Sequence, residues 1–350
     1  MDLTIGIPVY NAELHIARCI DSIMHADGIA SYEVIIVNDG STDNTQFIIN
    51  KYSKKYKQIR IINTKNEGAF RARDRIISEA RGEWIGFVDA DDTIERQMYN
   101  HMLKIAHCDK NIDIVVCAFN KVNSATGQIL EKKMDFYGNR ILDFTVCPDD
   151  RGLLLGVNPA YWNKIFKRNA ILHRLNLDYS PRIMEDYLFS ASVFPFIRGV
   201  AFVKRPLYNY YNEASSISKK IGWKEMEDAK KGVEYLIRYL AQRDGYQEDH
   251  SKVELISVMT IIHLGIAFSI NWSDFLEKNI QMVHHDTWDF LEKHFGKWYQ
   301  SRFLRLGYML KNPEMIKVLV ACNLYRTWAW PLIVHIYRNA VKSIGVDFKW

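Results

Sequence analysis

What this 350-residue chain lacks narrows its class first. Its five cysteines, Cys19, Cys108, Cys117, Cys147 and Cys322, include no Cys-x-x-Cys pair. Neither a zinc site nor a disulfide framework is indicated, and reduced thiols are expected. The N-terminal residues Met1-Asp2-Leu3-Thr4-Ile5 have no basic segment, apolar core and small-residue cleavage site, so a cytoplasmic protein is expected. The apolar stretch Leu255 to Ile270 contains Ser257, Thr260, His263 and Ser269 and falls short of the roughly 20 apolar residues of a spanning helix. It reads as a buried helix. No nucleic-acid-reading motif accompanies the net charge of +5, so nucleic acid is not an expected partner.

Charge is unevenly placed. Lys297 to Trp350 holds nine Lys or Arg and two acids, a net +7, which leaves −2 on the first 296 residues. Within that tail Leu332, Ile333, Ile336, Tyr337, Ala340, Val341 and Ile344 fall on one helical face, with Arg338 and Lys342 away from it and Trp328 and Trp330 just before it. Two readings stand: peripheral contact with an anionic membrane surface, or a basic helix packed on its own domain or on a partner in a homo-oligomer.

The stretch that organises the chain is Glu83-Trp84-Ile85-Gly86-Phe87-Val88-Asp89-Ala90-Asp91-Asp92. Trp84 to Val88 has no polar alternation, as a strand buried on both faces requires. Three carboxylates then fall at its C-terminal edge, where open α/β sheets bind ligands. Asp89 and Asp91 are hard oxygen ligands suited to Mg²⁺ or Mn²⁺. Asp91 and Asp92 also suit the cap of a helix beginning near Thr93.

Before this stretch the pattern alternates: strand at Leu3 to Val9, helix with Ile16, Cys19, Ile20 and Ile23 on one side, strand at Glu33 to Val37, helix from about Asn44 to Lys54, strand at Ile59 to Ile62, helix from Ala69 to Ala80. Strands alternating with helices in this way give a parallel sheet with right-handed crossovers. After it come a helix over Ile94 to Ala106, a strand over Ile112 to Phe119, a polar hairpin or loop over Asn120 to Asn139, and helical patterning from Gly222 onward.

Four segments in order, Ile7-Pro8-Val9-Tyr10-Asn11, Val37-Asn38-Asp39-Gly40-Ser41-Thr42-Asp43, Asn66-Glu67-Gly68 followed by Ala72-Arg73, and Asp89-Ala90-Asp91-Asp92, resemble those of family 2 glycosyltransferases with the GT-A fold. The resemblance runs roughly from Leu3 to Ser218. It implies an α/β catalytic domain over residues 1–220, with a nucleotide-sugar half at about 1–106 and an acceptor half at about 107–220, followed by a helical domain over 221–350. It implies metal-dependent, inverting transfer from a UDP-sugar donor to a glycan or lipid-linked acceptor.

By the same resemblance, Pro8, Val9, Tyr10, Asn11, Asn66, Gly68 and Ala90 border the nucleotide sugar. Asp39 meets the uracil or caps a turn; Tyr10 stacks on the base or packs at a strand end. Arg73 pairs a phosphate or fixes Asp89. Asp91 is the direct metal ligand, with Asp89 as partner to the ribose or the metal. In the similar Trp-x-Lys-Ile-Phe segment, Trp162 stacks on a sugar or is core, and Lys164 meets a phosphate or the acceptor. Arg182-Ile183-Met184-Glu185-Asp186-Tyr187-Leu188-Phe189 resembles the family's Glu-Asp-x-x-Phe motif at a helix start, which makes Asp186 the base for the acceptor hydroxyl and Glu185 its neighbour, with roles that can be exchanged; acids there also simply favour a helix N-terminus. Asn212 stands where the family commonly has Arg, which leaves a basic clamp to Lys219 or Lys220, with Ser216 and Ser218 as hydrogen-bond donors of a phosphate loop. The runner-up class is a non-catalytic sugar-nucleotide or glycan-binding subunit. A nucleotidyltransferase is disfavoured, because Pro8-Val9-Tyr10-Asn11 is not a glycine-rich basic loop.

Overall fold

The computed structural model describes residues 1–133, 139–212, 222–270 and 279–344, with backbone alone at 212 and 340–344. Ser216, Ser218, Lys219 and Lys220 lie outside the described residues, as do the side chains of Asn212, Ala340, Val341, Lys342 and Ile344. The chain forms two compact units. The first comprises Met1–Pro148, Asn158–Pro181 and Phe196–Ala214, and the second Asp149–Val157, Arg182–Pro195 and Ser215–Trp350.

The first unit is built on one mixed sheet. Its elements are β1 (Leu3–Val9), α1 (Ile16–Met24), β2 (Tyr32–Asn38), α2 (Thr45–Lys55), β3 (Ile59–Asn63), α3 (Ala69–Glu79), β4 (Trp84–Phe87), β5 (Thr93–Ile94), α4 (Met98–Ala106), β6 (Ile114–Asn123), β7 (Ile129–Lys133), β8 (Ile141–Asp143), β9 (Lys164–Lys167), the short α5 (Arg168–Ile171) and β10 (Gly199–Asn212). Strand order is β3-β2-β1-β4-β9-β6-β10-β5. The first four strands are parallel; β9 runs antiparallel to β4 and β6. Helices cover the sheet, which is why β1, β2 and β4 read as mainly apolar runs, with the polar Thr4 and Glu33 buried and hydrogen-bonded to each other at 2.9 Å. Ile16, Cys19, Ile20 and Ile23 of α1 and Ile76 and Ile77 of α3 are buried as the sequence periodicity requires.

Two local readings change. No helix begins near Thr93: Thr93 and Ile94 form β5, paired antiparallel with Asn209 and Tyr208, and α4 starts at Met98. The pairing buries Ile94, and this long-range contact overrides the local helical pattern. The polar segment after Phe119 resolves as a hairpin, with β6 extended to Asn123 and β7 returning along it. β10 shifts register against β6 around Pro206, a residue with no N–H to give the ladder.

The second unit is helical: α6 (Glu185–Val193), α7 (Trp223–Ala241), α8 (His250–Ile270), α9 (Ile280–Phe295), α10 (Leu306–Lys311), α11 (Ile316–Tyr325) and α12 (Trp330–Ile344). By length and composition α8 could cross a membrane, but 67% of its apolar window is buried inside the protein. It is the expected buried helix, with a π-helical stretch at Ile261–Ile266.

Candidate active site

In the first unit the chain passes from β1 outward to β2 and β3, then returns to place β4 on the other side of β1. Such a reversal opens a crevice at the carboxyl ends of the strands. The loop after β1 and the acid loop after β4 flank it. Among the described residues, only Asn11 (φ 47°) and Met184 (φ 64°) are non-glycine residues at positive φ. Both lie in segments singled out from the sequence, and such backbone strain persists where the surroundings enforce it.

The acid loop is fixed from three sides. The Asp89 N–H donates to Tyr208 Oη (3.2 Å), which donates in turn to Asp92 Oδ2 (2.7 Å), while the Tyr211 N–H donates to Asp92 Oδ1 (2.8 Å). From α1, the Arg18 guanidinium donates to the Asp91 carbonyl (2.6 Å) and lies over the Tyr211 ring at 3.7 Å. From α3, Arg73 donates to Asp89 Oδ1 at 2.8 Å and sits over the Tyr161 ring. Of the two roles open to Arg73, fixing Asp89 is the one seen here.

Asp92 is sealed in (1% exposed), a structural acid joining the loop to β10. Burial, and then the charges of Asp91 and Asp89, hold its carboxyl well above the usual carboxylate range, against the hydrogen bonds from Tyr208 and Tyr211. The same negative field adds to burial in raising the Cys19 thiol. Asp89 and Asp91 thus concentrate negative charge on a partly exposed loop, and hard carboxylate oxygens in such a field fit Mg²⁺ or Mn²⁺. Among the described residues, no three His, Cys, Asp or Glu side chains are grouped as a complete metal-binding set.

The neighbouring loops are bound together by Asp39. Its carboxylate accepts from Thr64 Oγ1 (3.0 Å), the Glu67 N–H (2.9 Å) and the Gly68 N–H (2.7 Å), so it anchors the Asn66-Glu67-Gly68 turn. A carboxylate offers about four acceptor sites, which leaves capacity for one further donor. Gly68 adopts φ +92°, and a Cβ there would meet Ser180 at 2.5 Å. The Asn11 side chain accepts from the Thr42 N–H (2.8 Å) and its own N–H donates to Ser41 Oγ (3.0 Å). Pro8 and Ala90 are partly exposed, Asn66 is exposed and Val9 is buried. Tyr10 is 49% exposed, with ring surface open to stacking.

Trp162 and Lys164 correct the ligand-contact alternative. Trp162 is 7% exposed, stacked on Tyr208 and Tyr210 and edge-on to Phe119. Lys164 is wholly buried; its ammonium donates to the Asn158 carbonyl (2.6 Å), the Ala160 carbonyl (2.8 Å) and Asn163 Oδ1 (2.7 Å). A cation held this way shapes the turn before β9 and does not reach a phosphate. Lys164→Met should cost about 3 kcal/mol by orphaning buried acceptors, read as a lower urea midpoint. Unchanged stability together with weakened nucleotide binding would restore a ligand role.

Glu185 and Asp186 open α6 in the second unit, both partly exposed, where acids suit the helix N-terminus. The helix is firmly seated. Tyr187 is buried and hydrogen-bonds Thr260 at 2.6 Å, Leu188 packs where a Cβ on Gly232 of α7 would meet it at 2.7 Å, and the Arg182 N–H donates to Asp228 of α7. His263 lies 5.1 Å from the Tyr187 ring, and burial pushes its imidazole down from 6.5 to about 4. The unfolded chain therefore binds this proton first: the contribution is complete above pH 6.5 and is lost as pH falls toward about 4. It amounts to at most about 3 kcal/mol, reduced by screening because the residue is partly exposed. His263→Phe should flatten stability between about pH 7 and pH 5 in urea titrations; an unchanged slope contradicts this assignment.

Two contacts were not legible locally. Arg18 lies on the polar side of α1, and Tyr208 lies in the segment that ends at Asn212 with nothing local to mark it; their contacts to the acid loop span 73 and 116 residues or more.

The model of glycosyl transferase family 2 matches residues 4–168. Two Bacillus subtilis proteins of glycosyltransferase name are similar: EpsH, 29% identical over 270 residues (76% of each chain), and EpsJ, 31% identical over 224 residues (62% of this chain, 63% of EpsJ). Among solved structures, S. aureus TarS 1-349 in complex with UDP-GlcNAc aligns over 100% of this chain and 93% of that one, with a TM-score of 0.67 at 16% identity. The family 2 match over residues 4–168, with the similarity to EpsH and EpsJ, makes this chain an enzyme of the glycosyltransferase class, and the architecture it shares with TarS is the GT-A fold.

Proposed function

We propose that the chain transfers a sugar from a UDP-sugar to a hydroxyl of a glycan or lipid-linked acceptor, inverting the anomeric carbon, with Mn²⁺ or Mg²⁺ held by Asp91 and Asp89. The observation that carries this reading is the acid loop at the sheet's switch point, fixed by Arg73, Arg18 and Tyr208 so that two carboxylates are held at the carboxyl end of β4. The UDP-GlcNAc complex of TarS supports the choice of nucleotide.

In this reading Tyr10 stacks on the uracil, and Asp39 accepts its N–H with the acceptor site left over. Arg73 holds Asp89 toward the ribose or the cation, while Pro8, Val9, Asn11, Asn66, Gly68 and Ala90 form the surrounding walls. Asp91 and Asp89 would hold the cation, which would supply positive charge to offset that on the departing diphosphate. Asp186 takes the acceptor hydroxyl's proton as the new oxygen–carbon bond forms and the bond to diphosphate breaks, and Glu185 orients the acceptor. No covalent enzyme intermediate is required.

A panel of nucleotide sugars, assayed for nucleotide release and thermal shift with Mn²⁺ and with chelator, tests this. UDP-sugars should be consumed only with the cation. Stabilisation and turnover by a GDP- or CMP-sugar alone would overturn the donor assignment.

A further inference from the structure

The second unit carries a cationic cleft beside an exposed apolar face, and the transfer chemistry uses neither. The cleft has a volume of about 580 Å³, and its lining includes Arg305, Arg326, Asn323, Gln300 and Leu306 but no carboxylate. Arg305 and Arg326 are both exposed, and among the described residues neither is paired with an acid. Arg302, close by, is different: it is engaged by Asp149 and Glu254. Two guanidinium groups at one cleft without acids form a site for phosphate, whose oxygens match their donor forks.

The apolar surface begins at the cleft's own rim. Leu306 is 67% exposed and Leu310, one turn further along α10, is 71% exposed. α10 packs against α11, which exposes Val320 and Leu324 one turn apart, and the connection to α12 carries Trp328 at 89% exposure. From Leu306 to Asn339 the cations are Lys311, Lys317, Arg326 and Arg338, against one acid, Glu314. Apolar side chains bordered mainly by cations, with a tryptophan at a loop tip, complement an anionic bilayer. Protein interfaces are depleted of lysine and balance charge across the contact.

We propose that this cleft seats the phosphate headgroup of an anionic lipid, Arg305 and Arg326 pairing its oxygens while Leu306, Leu310, Leu324 and Trp328 enter the acyl boundary. The enzyme then works at a membrane surface, docked through its second unit.

Flotation of the full chain with phosphatidylcholine vesicles, with and without phosphatidylglycerol, tests this. Binding should require phosphatidylglycerol. Each cation near such a surface contributes about fivefold, so R305A/R326A should weaken binding on the order of 25-fold. L306S/W328S should weaken it as much without removing charge. K54A/K57A removes two exposed lysines of the first unit and should leave binding intact. Equal binding to phosphatidylcholine alone, or an equal loss in K54A/K57A, overturns the headgroup assignment. Thermal stabilisation by inorganic phosphate that R305A/R326A abolishes, without vesicle binding, overturns the lipid and leaves a soluble phosphate ligand. Flotation needs no donor and no turnover, so its failure leaves the transfer assignment standing.

Discussion

Asp186→Asn is expected to lower turnover by about 10³-fold while leaving UDP-sugar affinity within about twofold of wild type, since a positioned base contributes roughly 10²- to 10⁴-fold. The amide keeps the shape of the side chain and its place in the first turn of α6 but cannot take a proton. The loss should therefore fall on kcat, with the Kd for UDP unchanged by calorimetry. Tyr187–Thr260 and Leu188–Gly232 seat the helix independently of this carboxylate, so the variant should fold. Wild-type turnover would transfer the base role elsewhere, with Glu185 the next residue to test. Loss of UDP affinity would place Asp186 in donor binding instead.

Asp91→Ala is expected to remove Mn²⁺-supported transfer, about 10³-fold or more, because several kcal/mol of charge stabilisation in the transition state would go with the ligand. A second readout does not depend on turnover: the gain in UDP affinity on adding Mn²⁺ should vanish. Asp91 meets Arg18 through its backbone carbonyl, so alanine keeps that tie. Asp92→Asn supplies the contrast. Asp92 is buried against Tyr208 and the Tyr211 N–H, and its neutral isostere should keep the Mn²⁺-dependent gain that Asp91→Ala loses.

Most of the sheet was legible because its strands are covered on both faces. Leu3–Val9, Tyr32–Asn38 and Trp84–Phe87 carry mainly apolar runs, in which the polar Thr4 and Glu33 are buried together, and the helices between them show one buried face each. The acid loop was legible because carboxylates at a strand's carboxyl end contradict that apolar pattern. What the sequence hid depends on contacts far along the chain. Thr93 and Ile94 look like a helix start until β10 pairs with them. Trp162 and Lys164 have the residue types of sugar and phosphate contacts, yet three oxygen acceptors and three aromatic neighbours enclose them. Asp39 keeps the turn-binding role that was one of its alternatives, now with named donors. In the tail, Leu332 and Ile336 are exposed as a surface-seeking face requires, but Val334 and Trp330 are buried, so α12 is seated on its own unit along one side.

The measurement closest to the central claim is a crystal structure of the protein soaked with UDP and Mn²⁺. The account predicts a uracil stacked on Tyr10 within reach of Asp39, and a cation bound by Asp91 between that loop and the diphosphate. A nucleotide bound away from the carboxyl ends of β1 and β4, or a cation coordinated by neither Asp89 nor Asp91, would contradict it.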